Sequence, residues 1–154
     1  MAEADRRQLV ALLLESRQGA ARHIEAIRSA TEQTPELVRA HVRGYIQCKF
    51  HLTEEDCVTE NFKALAELSM SKSMLLSPEL VKEFDLAKSC DGVSSTMAKM
   101  VLLFMALQRD LDILFEPMET ARAETLADIG DLVWKELKKK TGVTEASGDK
   151  KLQV

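Results

Sequence analysis

Met97-Ala98-Lys99-Met100-Val101-Leu102-Leu103-Phe104-Met105-Ala106-Leu107-Gln108-Arg109-Asp110-Leu111-Asp112-Ile113-Leu114-Phe115 is the stretch on which the fold of this 154-residue chain turns. From Met100 to Ala106 every residue is apolar. A helix apolar on all faces is buried on all faces. The run is too short to cross a bilayer, because Lys99 bounds it on one side and Gln108, Arg109 and Asp110 on the other. It predicts a central buried helix over about 97–115. From Gln108 onward the pattern turns amphipathic, with Arg109, Asp110 and Asp112 looking outward.

Working outward, helix starts recur. Thr34-Pro35-Glu36-Leu37 offers a hydroxyl cap, a proline with no N–H to lose and an acid at the positive end of the dipole. Val38, Val42, Tyr45 and Ile46 then fall on one side. Thr53-Glu54-Glu55-Asp56 reads as a second cap, opening a helix with Cys57, Val58, Phe62, Leu65 and Leu68. Ser77-Pro78-Glu79-Leu80 reads as a third, for a short helix that ends near Gly92. Before all of these, Leu9, Leu13, Ala20, Ile24 and Ile27 share one face of a first helix over about 4–31. Gly19 within it marks a kink or a close helix approach. After the central stretch, Pro117 ends or kinks the chain. A last helix over 117–140 carries Met118, Ala121, Leu126, Ile129, Val133 and Leu137.

The prediction is an all-α, single-domain, antiparallel bundle of five to six helices. The domain spans 1–140, and 141–154 is a polar tail expected to be disordered. Thr34-Pro-Glu-Leu-Val-Arg and Ser77-Pro-Glu-Leu-Val-Lys stand 43 positions apart, and Phe62-Lys-Ala-Leu and Phe104-Met-Ala-Leu 42. That period suits two helical-hairpin repeats. Composition agrees with helices: 45% apolar, mostly aliphatic, with few aromatics, prolines or glycines.

The net charge of −4 speaks against a general nucleic-acid binder, but the charge is segregated. Residues 51–131 carry 16 acids against 7 bases, while residues 1–50 carry 8 bases against 6 acids. Three cysteines and no signal-peptide pattern predict free thiols in the cytoplasm or nucleus.

Side chains suited to chemistry are thinly spread. His41, Cys48, His51 and Cys57 form the densest set of metal-capable groups, but their spacing matches no zinc pattern. No histidine has a glutamate three residues before it, which excludes the di-iron carboxylate motif. Phosphate-binding glycine loops and the serine elbow are missing from the sequence. Asp112 and Glu116 are four apart on one helix face. The expectation is no metal, no cofactor and no catalytic set.

What remains suits docking. Met70, Met74 and Leu75 mark an adaptable groove, and Trp134 is an anchor of the kind that dominates interfaces. Asp112 and Glu116 supply an acidic rim. The sequence thus predicts a non-catalytic interaction module, an adaptor or subunit with protein partners, self-association included. The alternative is a nucleic-acid-associated protein using the arginines of its N-terminal helices. An enzyme, less favoured, would need a deep pocket around Arg109, Asp110, Asp112 or His41.

Overall fold

The computed structural model describes residues 3–76 and 95–153, the side chains at 73–76 and 141–153 excepted. Among these residues the chain is all-helical: α1 (Glu3–Ser29), α2 (Pro35–Phe50), a 3-10 turn (Asp56–Val58), α3 (Phe62–Leu76), α4 (Ser95–Leu111), α5 (Pro117–Arg122) and α6 (Leu126–Gln153). The helices pack into one bundle around a shared core. Among the described residues no helix is long and apolar enough to cross a membrane. The helix start at Ser77, with its share of the repeat, and Cys90 lie outside the described residues, as do the side chains of Met74, Leu75 and the polar tail.

The centre of the bundle is α2, not the apolar stretch. Val38, Val42, Tyr45 and Ile46 are fully buried, and Phe50 nearly so. Helix α2 packs against α1, α3 and α6. Two glycines allow the closest approaches. A Cβ on Gly44 would sit 2.3 Å from the His23 ring of α1. On α6, a Cβ on Gly130 would lie 3.0 Å from the Arg39 backbone of α2. Gly19 does the same for α1, against the Cys48 sulfur at 2.8 Å, so it marks a close approach. Gly19 faces Cys48 while His23 faces Gly44, which makes α1 and α2 an antiparallel hairpin.

Helix α4 therefore sits at the edge. It buries Ala98, Leu103, Leu107 and Leu111 and exposes Met97, Val101, Leu102 and Met105 by half or more. The prediction of a helix buried all round is corrected: an all-apolar surface reports what can be buried, while neighbours decide what is. The helix also ends at Leu111, short of Phe115. Asp112 takes a left-handed φ of 53°, and Ile113 N–H donates to the Gln108 carbonyl at 3.1 Å, closing the last turn. Beyond it Glu116 is extended before Pro117 (φ −78°, ψ 127°), as the proline ring demands.

Helix α2 ends in the same manner. His51 is left-handed at φ 56°, and Leu52 N–H donates to the Gln47 carbonyl at 2.9 Å. Ser69 of α3 donates to the Phe50 carbonyl at 2.7 Å, and Ser16 of α1 donates to that of Cys48. Carbonyls at the end of a helix have no partner within it, and here side chains from two neighbours supply them.

Two predicted helices are each broken. The Thr53 cap exists, with Thr53 N–H on the Asp56 carboxylate at 2.8 Å and Asp56 N–H on the Thr53 hydroxyl at 3.3 Å. It opens only the 3-10 turn, which leaves Val58 88% exposed. Helix α3 starts later, where Asn61 accepts from Ala64 N–H at 2.8 Å. The last predicted helix divides into α5 and α6, with Thr125 and Asp128 capping α6 reciprocally. The two late starts bind each other: Phe62 N–H donates to Glu124 O at 2.8 Å and Leu126 N–H to Glu60 O at 3.0 Å. Each helix thus satisfies an orphan first-turn N–H with a carbonyl just before the other. Thr34 caps α2 as predicted, accepting from Leu37 N–H at 3.1 Å.

Four phenylalanines tie α3 and α4 to this frame. Phe62 stacks on Phe50 at 5.8 Å and meets Phe104 edge-on at 5.6 Å, and Phe104 meets Phe115 edge-on at 5.5 Å. Such pairs contribute about 0.5–1.5 kcal/mol each beyond burial.

Candidate functional site

The metal-capable residues are not brought together. His41 faces α1, with its Nδ1 3.0 Å from that of His23. Cys48 is half-buried against Gly19, Cys57 is in the core, and His51 is the left-handed cap. Among the described residues no group of three or more His, Cys, Asp or Glu side chains could hold a metal. Both described cysteines are free thiols, and burial pushes that of Cys48 up despite Arg22 nearby. The physical reason is distance along the helix. Cys48 shares the α1-facing side of α2 with His41 but stands two turns away, about 10 Å at 1.5 Å per residue. His51 and Cys57 lie beyond the end of α2.

The His23–His41 pair is the new feature here. The ring centroids are 5.3 Å apart with the Nδ1 atoms 3.0 Å apart, so the two nitrogens point nearly straight at each other. Two ring nitrogens facing each other along one line at this distance form a hydrogen bond whose donor is set by the tautomer. They do not converge on a metal, which would need them splayed toward a third point. Burial, the His41 ring and Arg22 all hold His23 below its usual range. The sequence signal was Gly44, three residues after His41, which leaves room for an imidazole from α1.

Arg109 and Asp110 border a cleft of about 370 Å³ between α1 and α4, with Arg17, Ile24, Arg28 and Lys49 on its walls. Asp112 and His41 are not among the lining residues. Asp110 is already engaged. Its carboxylate accepts from the buried Tyr45 hydroxyl at 2.7 Å and from Arg109 Nε at 2.9 Å. Burial works to raise its pKa, but those two hydrogen bonds, with the nearby charges of Arg109 and Lys49, outweigh burial and hold it below the usual carboxylate range. Burial and the same bond raise Tyr45 well above its ordinary value. The arrangement anchors α4 to α2 and offers neither a free base nor a nucleophile.

Asp112 and Glu116 do not share a helix face, since residues 112–116 are outside any helix. Asp112 pairs with Lys140 of α6 at 2.9 Å, which holds its carboxylate below the usual range. Glu116 is exposed at the start of α5. Trp134 is half-buried against the core, with Lys138 Nζ 5.7 Å from its ring. Met70 is half-buried.

Exposed apolar side chains include Leu114 and Met118, on either side of Glu116, and a run on α4. Val101 and Met105 are one turn apart, with Leu102 beside Val101, and each is 51–56% exposed. On the opposite side of the same helix Leu103, Leu107 and Leu111 are buried. The stripe is thus fixed to a rigid element by its own back face. Lys99 lies over the Phe50 ring at 5.3 Å, and burial lowers its pKa. A second exposed apolar stretch, Val10 with Leu12, Leu13 and Leu14, occupies the N-terminal half of α1. Comparison with protein-family models, with curated proteins and with solved structures finds no match for this chain.

Proposed function

We propose that the protein is a non-catalytic interaction module, an adaptor or a subunit of a larger assembly, that docks protein partners through a helix face. The observation that carries this reading is the outward stripe of α4: Val101, Leu102 and Met105 are exposed on a helix whose other side is locked into the core. Scattered apolar residues on a surface need no explanation. Three large ones within two turns of one helix form a contiguous patch of the kind that marks interaction sites. Methionine adapts to irregular partner surfaces, which suits helix-face docking.

The nucleic-acid alternative is weakened by where the α2 arginines go. Arg39 pairs with Asp131 at 2.6 Å, and Arg43 pairs with Glu60 and, at 3.6 Å, with Glu54. A basic residue already neutralised contributes little to phosphate contacts.

The test is quantitative affinity capture from the native cell with the wild-type chain and with Leu102→Glu/Met105→Glu. Both positions are exposed, so the variant keeps its helical content and thermal midpoint. It is expected to lose at least about tenfold of the captured partner, as removal of central apolar anchors does. Equal capture by both proteins would overturn the proposal.

A further inference from the structure

We infer that the N-terminal half of α1 is a self-association helix that pairs antiparallel with α1 of a second copy of this chain. The inference is independent of the α4 stripe. Helix α1 buries only Gly19, Ala20, Ile24 and Ile27, all in its second half. Residues 3–18 contain no buried position. Those before Ser16, which reaches the Cys48 carbonyl, run on beyond the end of α2 for roughly 20 Å at 1.5 Å per residue and bury no position among the described residues. A helix of that length is marginal in water on its own, and this one exposes Val10, Leu12, Leu13 and Leu14 at 45–52%.

Charge placement selects the occupant. Leu9 and Leu13 continue the strip of Ala20, Ile24 and Ile27 that packs into the core. Asp5 stands four residues before Leu9 and Arg17 four after Leu13, so the two charges bracket the leucine pair along the helix. Both are exposed, and neither makes a salt bridge within the described residues. A two-fold axis at the height of Ala11 sets Leu9 against Leu13 of the second copy and Leu13 against its Leu9. The same axis sets Asp5 against Arg17 at both ends. A parallel pairing would instead oppose Asp5 to Asp5 and Arg17 to Arg17. The bundles lie at opposite ends of this contact, because the covered part of α1 begins only at Gly19. Two helices over about four turns fall at the small end of specific interfaces, about 1,000 Å² in total.

The test is sedimentation of the full chain over a concentration series, with circular dichroism as the control for folding. The wild type is expected to pass from monomer to dimer. Leu9→Glu/Leu13→Glu stays monomeric while keeping the cooperative thermal unfolding of the bundle. Asp5→Arg and Arg17→Asp each weaken the dimer about tenfold, by setting like charges opposite. The double variant Asp5→Arg/Arg17→Asp restores it, since each charge again meets its opposite. A wild type that stays monomeric throughout would overturn the inference, as would a dimer indifferent to Leu9→Glu/Leu13→Glu or a double variant no better than the singles. Because none of these residues lies on α4, failure here leaves the docking proposal standing.

Discussion

His23 Nδ1 faces His41 Nδ1 across 3.0 Å, and the titration of His23 carries a definite sign. In the unfolded chain His23 takes up a proton near its ordinary value of 6.5, whereas in the fold burial, the His41 ring and Arg22 hold it lower. The unfolded state therefore binds protons first as the pH falls. The contribution of His23 to stability is fully present above 6.5 and is lost as the pH drops below it. Urea unfolding at about pH 7.5 and about pH 5.5 is expected to show a lower midpoint in acid, with a smaller drop for His23→Gln; equal drops would remove the pair as the cause. His51 bears on stability through its backbone, at a left-handed φ of 56°. A non-glycine residue in this region costs about 1–2 kcal/mol. His51→Gly is expected to raise stability by about 1 kcal/mol, read as a higher denaturant midpoint at unchanged slope. The Thr34 cap was legible in the sequence because its partners lie within three residues. The left-handed ends at His51 and Asp112 were not, because glycine is their usual sequence mark and neither position has it.

At the scale of elements, glycines decide which helices come closest, and hydropathy does not register them. The run from Met100 to Ala106 outweighs α2 in apolar content, yet α2 holds the centre because Gly19, Gly44 and Gly130 let α1 and α6 close on it. Its arginines extend to Asp131 and Glu60. Gly44→Ala tests this. Alanine favours a helix by about 1 kcal/mol over glycine, but its Cβ would press on the His23 ring at 2.3 Å. The expected outcome is a net loss of about 1–3 kcal/mol, the usual cost of overpacking, together with loss of the His23 pH effect. A neutral or stabilising result in denaturant unfolding would mean that α1 and α2 lie farther apart than this contact requires. The breaks before α3 and α6 escaped the sequence for a related reason. Thr53 and Thr125 both make good caps, but the length of helix each one opens depends on the long-range pairing of Glu60 and Phe62 with Glu124 and Leu126.

For the whole molecule, class was readable from composition and spacing, since aliphatic periodicity, proline-marked starts and scarce β-branched clusters leave little but packed helices. The proposed docking surface differs from the one expected from sequence. The sequence suggested a groove at Met70, Met74 and Leu75, an anchor at Trp134 and an acidic rim at Asp112 and Glu116, whereas Asp112 is tied to Lys140 and α4 exposes Val101, Leu102 and Met105. Telling a buried all-apolar helix from one with a face left open requires knowing how many neighbours it has, and this is a tertiary property. Photo-crosslinking in the native cell tests the central claim most directly. A photoreactive phenylalanine analogue is placed in turn at Val101, Leu102 and Met105, and at exposed Lys63 on α3 as the control. A discrete adduct to another polypeptide is expected from the α4 positions and none from Lys63. Adducts of equal yield from all four positions, or none from α4, would contradict it.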